Sequence, residues 1–316
     1  MQKDMSKAFI SNIQIGESRN IKDFTIPLSG EEQKHLIITG KNGSGKTSLL
    51  TDINKTLELY FLSEYKQYDN YVDYINSYKK ELDRLEALPQ DTANRDKNIK
   101  IYKDALLQAE KILAPFKRIN ITYSNKSYLH SLLDDGKFLL AFFDAKRNSI
   151  LTTPKGISKI ELKKNYQSEE HANQHFIQYI VNLKAERSFA RDDNDKEAVK
   201  EIDEWFDQFE ERLRYIFDVP TLKLVFDRKN YNFTINEESK QPYTLNQLSD
   251  GYSAIISIVT ELMLRMEAVT SKNYEIEGIV LIDEIETHLH VDLQKKILPF
   301  LVGFFPKELL RNKLTN

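Results

Sequence analysis

Apolar positions along the chain repeat with two periods, and the switches between them mark out the elements. His35-Leu36-Ile37-Ile38-Thr39 is a short β-branched run that predicts a buried strand, and Ser48–Asn54 opens a helical pattern just beyond it. Tyr68, Val72, Ile75 and Leu82, then Ile99, Tyr102, Leu106, Ala109 and Leu113, form heptad-like stripes on two helices. Pro89–Asn94 reads as a turn between them. The simplest picture is a helical hairpin over residues 57–113; helices packed on a core fit the same stripes. Strands are expected at Ile119–Tyr123, Phe138–Phe143 and Ile157–Leu162. A helical subdomain over 169–217 follows, broken at Arg191–Asp195, with Trp205, Phe206, Phe209, Leu213 and Ile216 on one face. Leu222–Phe226 and Tyr231–Ile235 predict a β-hairpin. Ser253–Leu262 is an apolar helix, Gly278–Ile282 an apolar strand, and Val291 to about Phe305 a last helix halted near Pro306. The unbroken apolar run at 278–282 predicts a parallel strand covered on both faces.

Candidate chemistry sits at the junctions of these elements. Gly40-Lys41-Asn42-Gly43-Ser44-Gly45-Lys46-Thr47 satisfies Gly-x-x-x-x-Gly-Lys-[Ser/Thr] between the predicted strand and helix. Glycines let successive N–H groups curl toward phosphates, and the helix N-terminus favours negative charge. Gly40, Asn42, Gly43, Ser44, Gly45, Lys46, Thr47 and Ser48 are the candidate nucleotide-binding residues. Lys46 is placed to reach the β/γ-phosphates of ATP and the Thr47 hydroxyl to ligate Mg²⁺. A plain glycine-rich turn is the simpler alternative, and the fitting flanks argue against it.

A second junction lies at Asp283-Glu284, where an apolar strand ends in two carboxylates. Ligands of doubly wound sheets bind at such strand ends. Asp283 is the candidate Mg²⁺ partner beside Thr47, and Glu284, with Lys46, the candidate catalytic residue, orienting or deprotonating a water. Alone, the pair would read as two solvated acids. Leu248-Ser249-Asp250-Gly251-Tyr252 precedes the apolar helix, so Ser249 and the amides of Asp250 and Gly251 cap it and offer donors to an anion.

The order P-loop, Leu-Ser-x-Gly, then apolar strand with Asp283-Glu284 resembles the ABC-type ATPases. More narrowly it resembles the RecF/SMC/OLD branch, through Asp283-Glu284-Ile285-Glu286-Thr287-His288-Leu289-His290. Phe9–Ile15 and Asn20–Leu28, joined through Ser18-Arg19-Asn20-Ile21, look like that branch's paired N-terminal strands. The resemblance implies an α/β P-loop NTPase fold: one ABC-ATPase head over 1–316 with a mixed sheet core and a largely helical insertion. It implies Mg²⁺-dependent ATP hydrolysis in a dimer of heads, with Ser249 and Gly251 meeting the γ-phosphate in trans. Phe142–Arg147 looks like a strand-end segment near the nucleotide, where other branches carry a Gln; no clear Gln stands there. Arg147 is a phosphate or inter-subunit contact on that view, or a surface arginine. The branch's later switch histidine and final strands are not visible after Pro306, which is expected of a truncated form or of one completed by a partner. His288 and His290 precede the last helix and are not assigned the switch role. Chains of this look resemble the ATPases of bacterial Septu-, retron- and OLD-type defence systems, which gate a nuclease. No nuclease segment is visible, so an effector would be a separate chain. A RecF-like DNA-repair or chromosome-maintenance ATPase binding DNA, and a nucleotide-binding scaffold with little turnover, are the alternatives.

Composition narrows the picture modestly. A formal charge of -3 over 316 residues shows no overall basic bias, which weakens generic nucleic-acid binding. The absence of cysteine excludes disulfides, thiolate metal sites and cysteine nucleophiles. No run reaches membrane-spanning length and Met1–Lys7 lacks a signal-peptide core, so a cytoplasmic protein without a membrane partner is expected.

Overall fold

The computed structural model describes residues 7–61, 65–90, 93–145, 151–164, 166, 170–238, 240–270, 276–286 and 289–304. Two compact units divide the chain at Asp135/Gly136. Arg147, His288 and the tail from 305 onward lie outside the described residues.

In the first unit, β1 (Ile10–Ser18) and β2 (Ile21–Pro27) form an antiparallel hairpin, closing at Ser18 opposite Ile21. The two-residue turn needs positive φ, and Arg19 supplies it at 50°. Helix α1 (Lys46–Phe61) starts within the glycine loop and buries Leu49, Ile53, Leu57 and Tyr60. Its position is set by Ser18, buried on β1, whose Oγ donates to Asp52 Oδ2 at 2.8 Å. Helices α2 (Tyr65–Glu86) and α3 (Arg95–Leu113) pack as an antiparallel pair. The pair begins at Tyr65; residues 57–61 belong to α1. Strand β3 (Ile119–Tyr123) joins β1, giving the order β2-β1-β3. Helix α4 (Lys126–Asp134) is capped by Asn125, which accepts from the Tyr128 N–H at 3.0 Å. Tyr60 of α1 meets His130 Nε2 of α4 at 3.0 Å, and His130 lies 3.1 Å from Asp69 of α2.

One expectation fails in this unit. His35–Thr39 forms no strand and stays largely exposed, Ile37 at 65%. The unit's sheet is β2-β1-β3, and the run joins neither edge. Without a ladder partner, an apolar β-branched run has nothing to hold it in strand form.

In the second unit, β4 (Phe138–Phe143) and β8 (Glu277–Ile282) pair in parallel, Leu139 opposite Gly278. A Cβ at Gly278 would lie 2.4 Å from the Leu139 carbonyl oxygen, so this approach requires glycine. β4 is the buried strand; β8 keeps Val280 39% exposed, so it is not covered on both faces as its apolar run predicts. Helices α5 (Phe176–Asp192) and α6 (Lys196–Phe217) follow. Asp195 caps α6 by accepting from the Ala198 N–H at 3.0 Å, and Asp218 ends it in the left-handed region. The α6 face of Ile202, Trp205, Phe206, Phe209, Leu213 and Ile216 sits at helical spacing and is buried with α5 and α7 (Asp250–Thr270) in one core. Helix α8 (Val291–Phe304) adds Leu293, Ile297 and Phe300.

Strands β5 (Lys223–Asp227), β6 (Asn232–Asn236) and β7 (Tyr243–Thr244) form a third sheet. Glu210 of α6 accepts from the Leu224 N–H at 2.8 Å and pairs with Arg214, which donates to the Leu222 carbonyl at 2.9 Å. Parallel and antiparallel pairings are thus divided among three small sheets of the described residues. The stretch Ile157–Leu162, expected as a strand, is irregular. Gln178 and Asn182 of α5 donate to the Gly156 and Ser158 carbonyls at 3.0 and 2.8 Å, so side chains take the place of a ladder. Among the described residues, no helix is long and apolar enough to cross a membrane.

Candidate functional site

The glycine loop of the first unit turns where its sequence demands. Gly43 and Gly45 have φ of 80° and 97°, conformations that side chains strain to adopt. The Ser44 N–H bonds the Lys41 carbonyl at 3.1 Å, and the Leu49 N–H bonds the Gly45 carbonyl at 2.9 Å, starting α1. Lys46 folds back over the loop, donating from Nζ to the carbonyls of Gly40 at 2.7 Å and Lys41 at 3.2 Å. Its ammonium is thereby held over the mouth of the loop. Asn42, Gly43, Ser44 and Thr47 are exposed, Lys46 and Ser48 half-buried, and Gly45 buried. The first turn of a helix leaves backbone donors outside its own ladder, so the head of α1 is suited to an anion.

The remaining candidates lie in the second unit. Ser249 stands just before α7, its carbonyl accepting from the Ser253 N–H at 2.8 Å, and Gly251 is buried in the first turn. Thr244 and Gln247 form a capping box, and Asn246 bonds the Leu151 backbone on both its N–H and carbonyl, so the approach to Ser249 is held from two sides. Ser249 and Gly251 line a cavity of about 470 Å³ with Asp218, His290, Asp292 and Lys296. Lys296 Nζ bonds Asp218 Oδ1 at 2.8 Å across its wall. Phe217 and Tyr252 stack at 4.4 Å, with planes 6° apart, joining the end of α6 to the start of α7.

Asp283 and Glu284 do not line that cavity; they follow β8 directly. The Asp283 N–H donates to the Phe143 carbonyl at 2.8 Å, extending the β4–β8 ladder by one bond. Asp283 is 5% exposed, and its Oδ2 is buried without a hydrogen-bond partner among the described residues. A buried carboxylate oxygen left unsatisfied is costly. A divalent cation with oxygen ligands would satisfy it, so the donor fits Mg²⁺. Glu284 has φ of 45°, a left-handed conformation rare for a non-glycine residue and concentrated at functional sites.

The sequence did not point to Asp218, Asp292 and Lys296. They are ordinary surface charges in the chain, and only the approach of α6, α7 and α8 gathers them. His290, not assigned the switch role, lies 3.6 Å from Asp292 and lines the same cavity.

A glycine loop at a helix head, with its lysine over the loop, in a mixed α/β chain defines the class as a P-loop nucleotide-binding protein. The chain belongs to the AAA ATPase domain family, whose model matches residues 51–302, a span that begins just past the glycine loop. It is also similar to Septu protein PtuA of Bacillus mycoides (strain KBAB4), at 46% identity over 63 residues. That match covers 20% of this chain and only 9% of the relative's length. Both findings fit the resemblance, carried by the motifs, to ATPases of the OLD- and SMC-like type.

Proposed function

We propose that this chain is the Mg²⁺-dependent ATPase of a bacterial anti-phage defence complex, gating a separate effector nuclease. The observation that carries it is the loop Gly40–Thr47, with Lys46 held over two loop carbonyls at the head of α1. Lys46 faces the β/γ-phosphates, and the loop amides and the start of α1 hold them in place. On the motif reading, Thr47 and Asp283 would be the residues to hold Mg²⁺, and the ion would supply neutralisation of phosphate charge when bound. Glu284 takes a proton from the attacking water, ATP and water giving ADP and phosphate. Ser249 and Gly251 contact the γ-phosphate bound to a second copy, so nucleotide closes a head dimer and hydrolysis releases it. The similarity to a Septu protein supports the defence setting.

Lys46→Ala removes the charge facing the phosphates and is expected to abolish tight binding of labelled ATP; unchanged affinity would reject the site. Gly251→Asp adds a carboxylate where the γ-phosphate is to sit, and like charges at short range are costly. It is expected to spare ATP binding and block ATP-dependent dimerisation in light scattering. Undiminished dimers would reject the sandwich.

A further inference from the structure

Helix α7 begins directly after Ser249 and carries Gly251 in its first turn, and far along it lies a buried ion pair that no step above uses. Arg265 Nε donates to Glu261 Oε1 at 2.6 Å, and the two side chains are 6% and 2% exposed. Glu261 Oε2 also accepts from the Asn173 N–H at 2.8 Å. Arg265 leaves the helix by its other two nitrogens. Nη1 donates to the Leu140 carbonyl of β4 at 2.9 Å and Nη2 to the Glu170 carbonyl at 3.2 Å. The guanidinium lies 4.9 Å from the centre of the Tyr166 ring.

Such a pair contributes little net stability, because desolvating two charges offsets most of their attraction. It does something that apolar packing cannot. Leucine and methionine surfaces tolerate a helix sliding along a sheet by a fraction of an ångström. A guanidinium fork satisfied by one carboxylate and two carbonyls fits a single position. Leu140 is opposite Ile279 in the β4–β8 ladder, and that ladder ends in the bond from Asp283 to Phe143. The chain of bonds therefore runs from α7, through Arg265, into β4, and on to the backbone of Asp283.

We infer that Glu261 and Arg265 are positioning residues: they fix the axial register of the α7 helix against the β4–β8 pair, so that the Ser249–Gly251 turn and the Asp283–Glu284 strand end move as one body. The inference deepens the ATPase reading and rests on it for its consequence in turnover. From Asp250 to Arg265 is about 22 Å of helix, so a shift at the anchor is delivered undiminished to the far end.

The test is a set of three variants. Arg265→Met alone strands the Glu261 charge and is expected to lower the denaturation midpoint read by Trp205, which is buried in this unit. Glu261→Gln/Arg265→Met removes both charges, keeps an acceptor for Asn173, and is expected to recover the wild-type midpoint. In that stable variant ATP affinity stays at the wild-type value while kcat falls by up to about 10²-fold, the cost of misplacing a site by an ångström. Arg265→Lys keeps the charge but not the fork; it serves if the double variant fails to fold, and is expected to show the same split to a smaller degree. A wild-type kcat in a stable variant overturns the inference, as does a loss of kcat matched by a loss of ATP affinity. Hydrogen exchange separates this from failure of the ATPase reading. If the wild type does not turn over ATP, that reading falls. Faster amide exchange over 138–143 and 277–283 in the double variant, with α6 unchanged, still supports the register lock, and unchanged exchange over those strands rejects it.

Discussion

His35–Thr39 and Glu277–Ile282 look alike on paper, and the molecule treats them differently. Both are short apolar runs leading into glycine-rich or charged phrases. The second is a strand because β4 offers a continuous parallel ladder and Gly278 lets the backbones close on one another. The first joins neither edge of the β2-β1-β3 sheet. Apolar character sets what a segment can become; a partner with exposed backbone groups decides what it does become. The phosphate loop keeps its shape even so, because its turn is set locally by Gly43, Gly45 and the Lys46 bonds.

The contrast can be broken most severely at Gly278. Gly278→Val places a side chain against the Leu139 carbonyl, and the overpacking is expected to cost about 3 kcal/mol. Urea unfolding followed by Trp205 fluorescence measures it, and a wild-type midpoint would mean the ladder is not as described. A smaller effect is expected in the loop. Gly43→Val forces a β-branched residue to positive φ, at a cost of about 1–2 kcal/mol, although no atom of the described residues crowds the new Cβ. Far-UV ellipticity on heating, with ATP affinity beside it, reads that loss.

A pH effect confined to the first unit sharpens the distinction. Burial pushes His130 below its ordinary value; Asp69 and Asp134 oppose this, and Lys126 and Lys66 reinforce it. The folded state therefore favours neutral imidazole. Stability from this group is present above pH 6.5, the unfolded value, and is lost as pH falls from there through the lower folded value. Ellipticity melts between pH 7.5 and pH 5 are expected to show that slope in the wild type and a flatter one in His130→Gln. The smallest effect is expected at Ile37. With that side chain 65% exposed, Ile37→Ser is expected to change stability by no more than about 0.5 kcal/mol. A cost of several times that would show the run to be buried in the working protein, as β8 partly is.

Much of this architecture was legible from residue patterns because it is local. The stripes at 68–82 and 99–113, the apolar face of α6, the 222–235 hairpin and the glycine loop each follow from neighbours within a few positions. What escaped is long-range. The strand expected at 157–162 was lost to Gln178 and Asn182, two polar residues whose helix position shows no sign of their targets. Lys296 and Asp218 reach the cavity beside Ser249 from elements far apart in the chain. Nothing in the sequence singles out Arg265, and its burial appears only once β4 lies beside α7.

Open sheets invite company, since an outermost strand presents half-used amides and carbonyls to any extended peptide that drifts past. β5 refuses that invitation. The Glu210 carboxylate occupies the Leu224 amide, and Arg214 occupies the Leu222 carbonyl one step back. A foreign strand pairing at this end of β5 would have to evict both members of a salt bridge. The start of β5 is therefore guarded against strand addition by two side chains that α6 carries one turn apart.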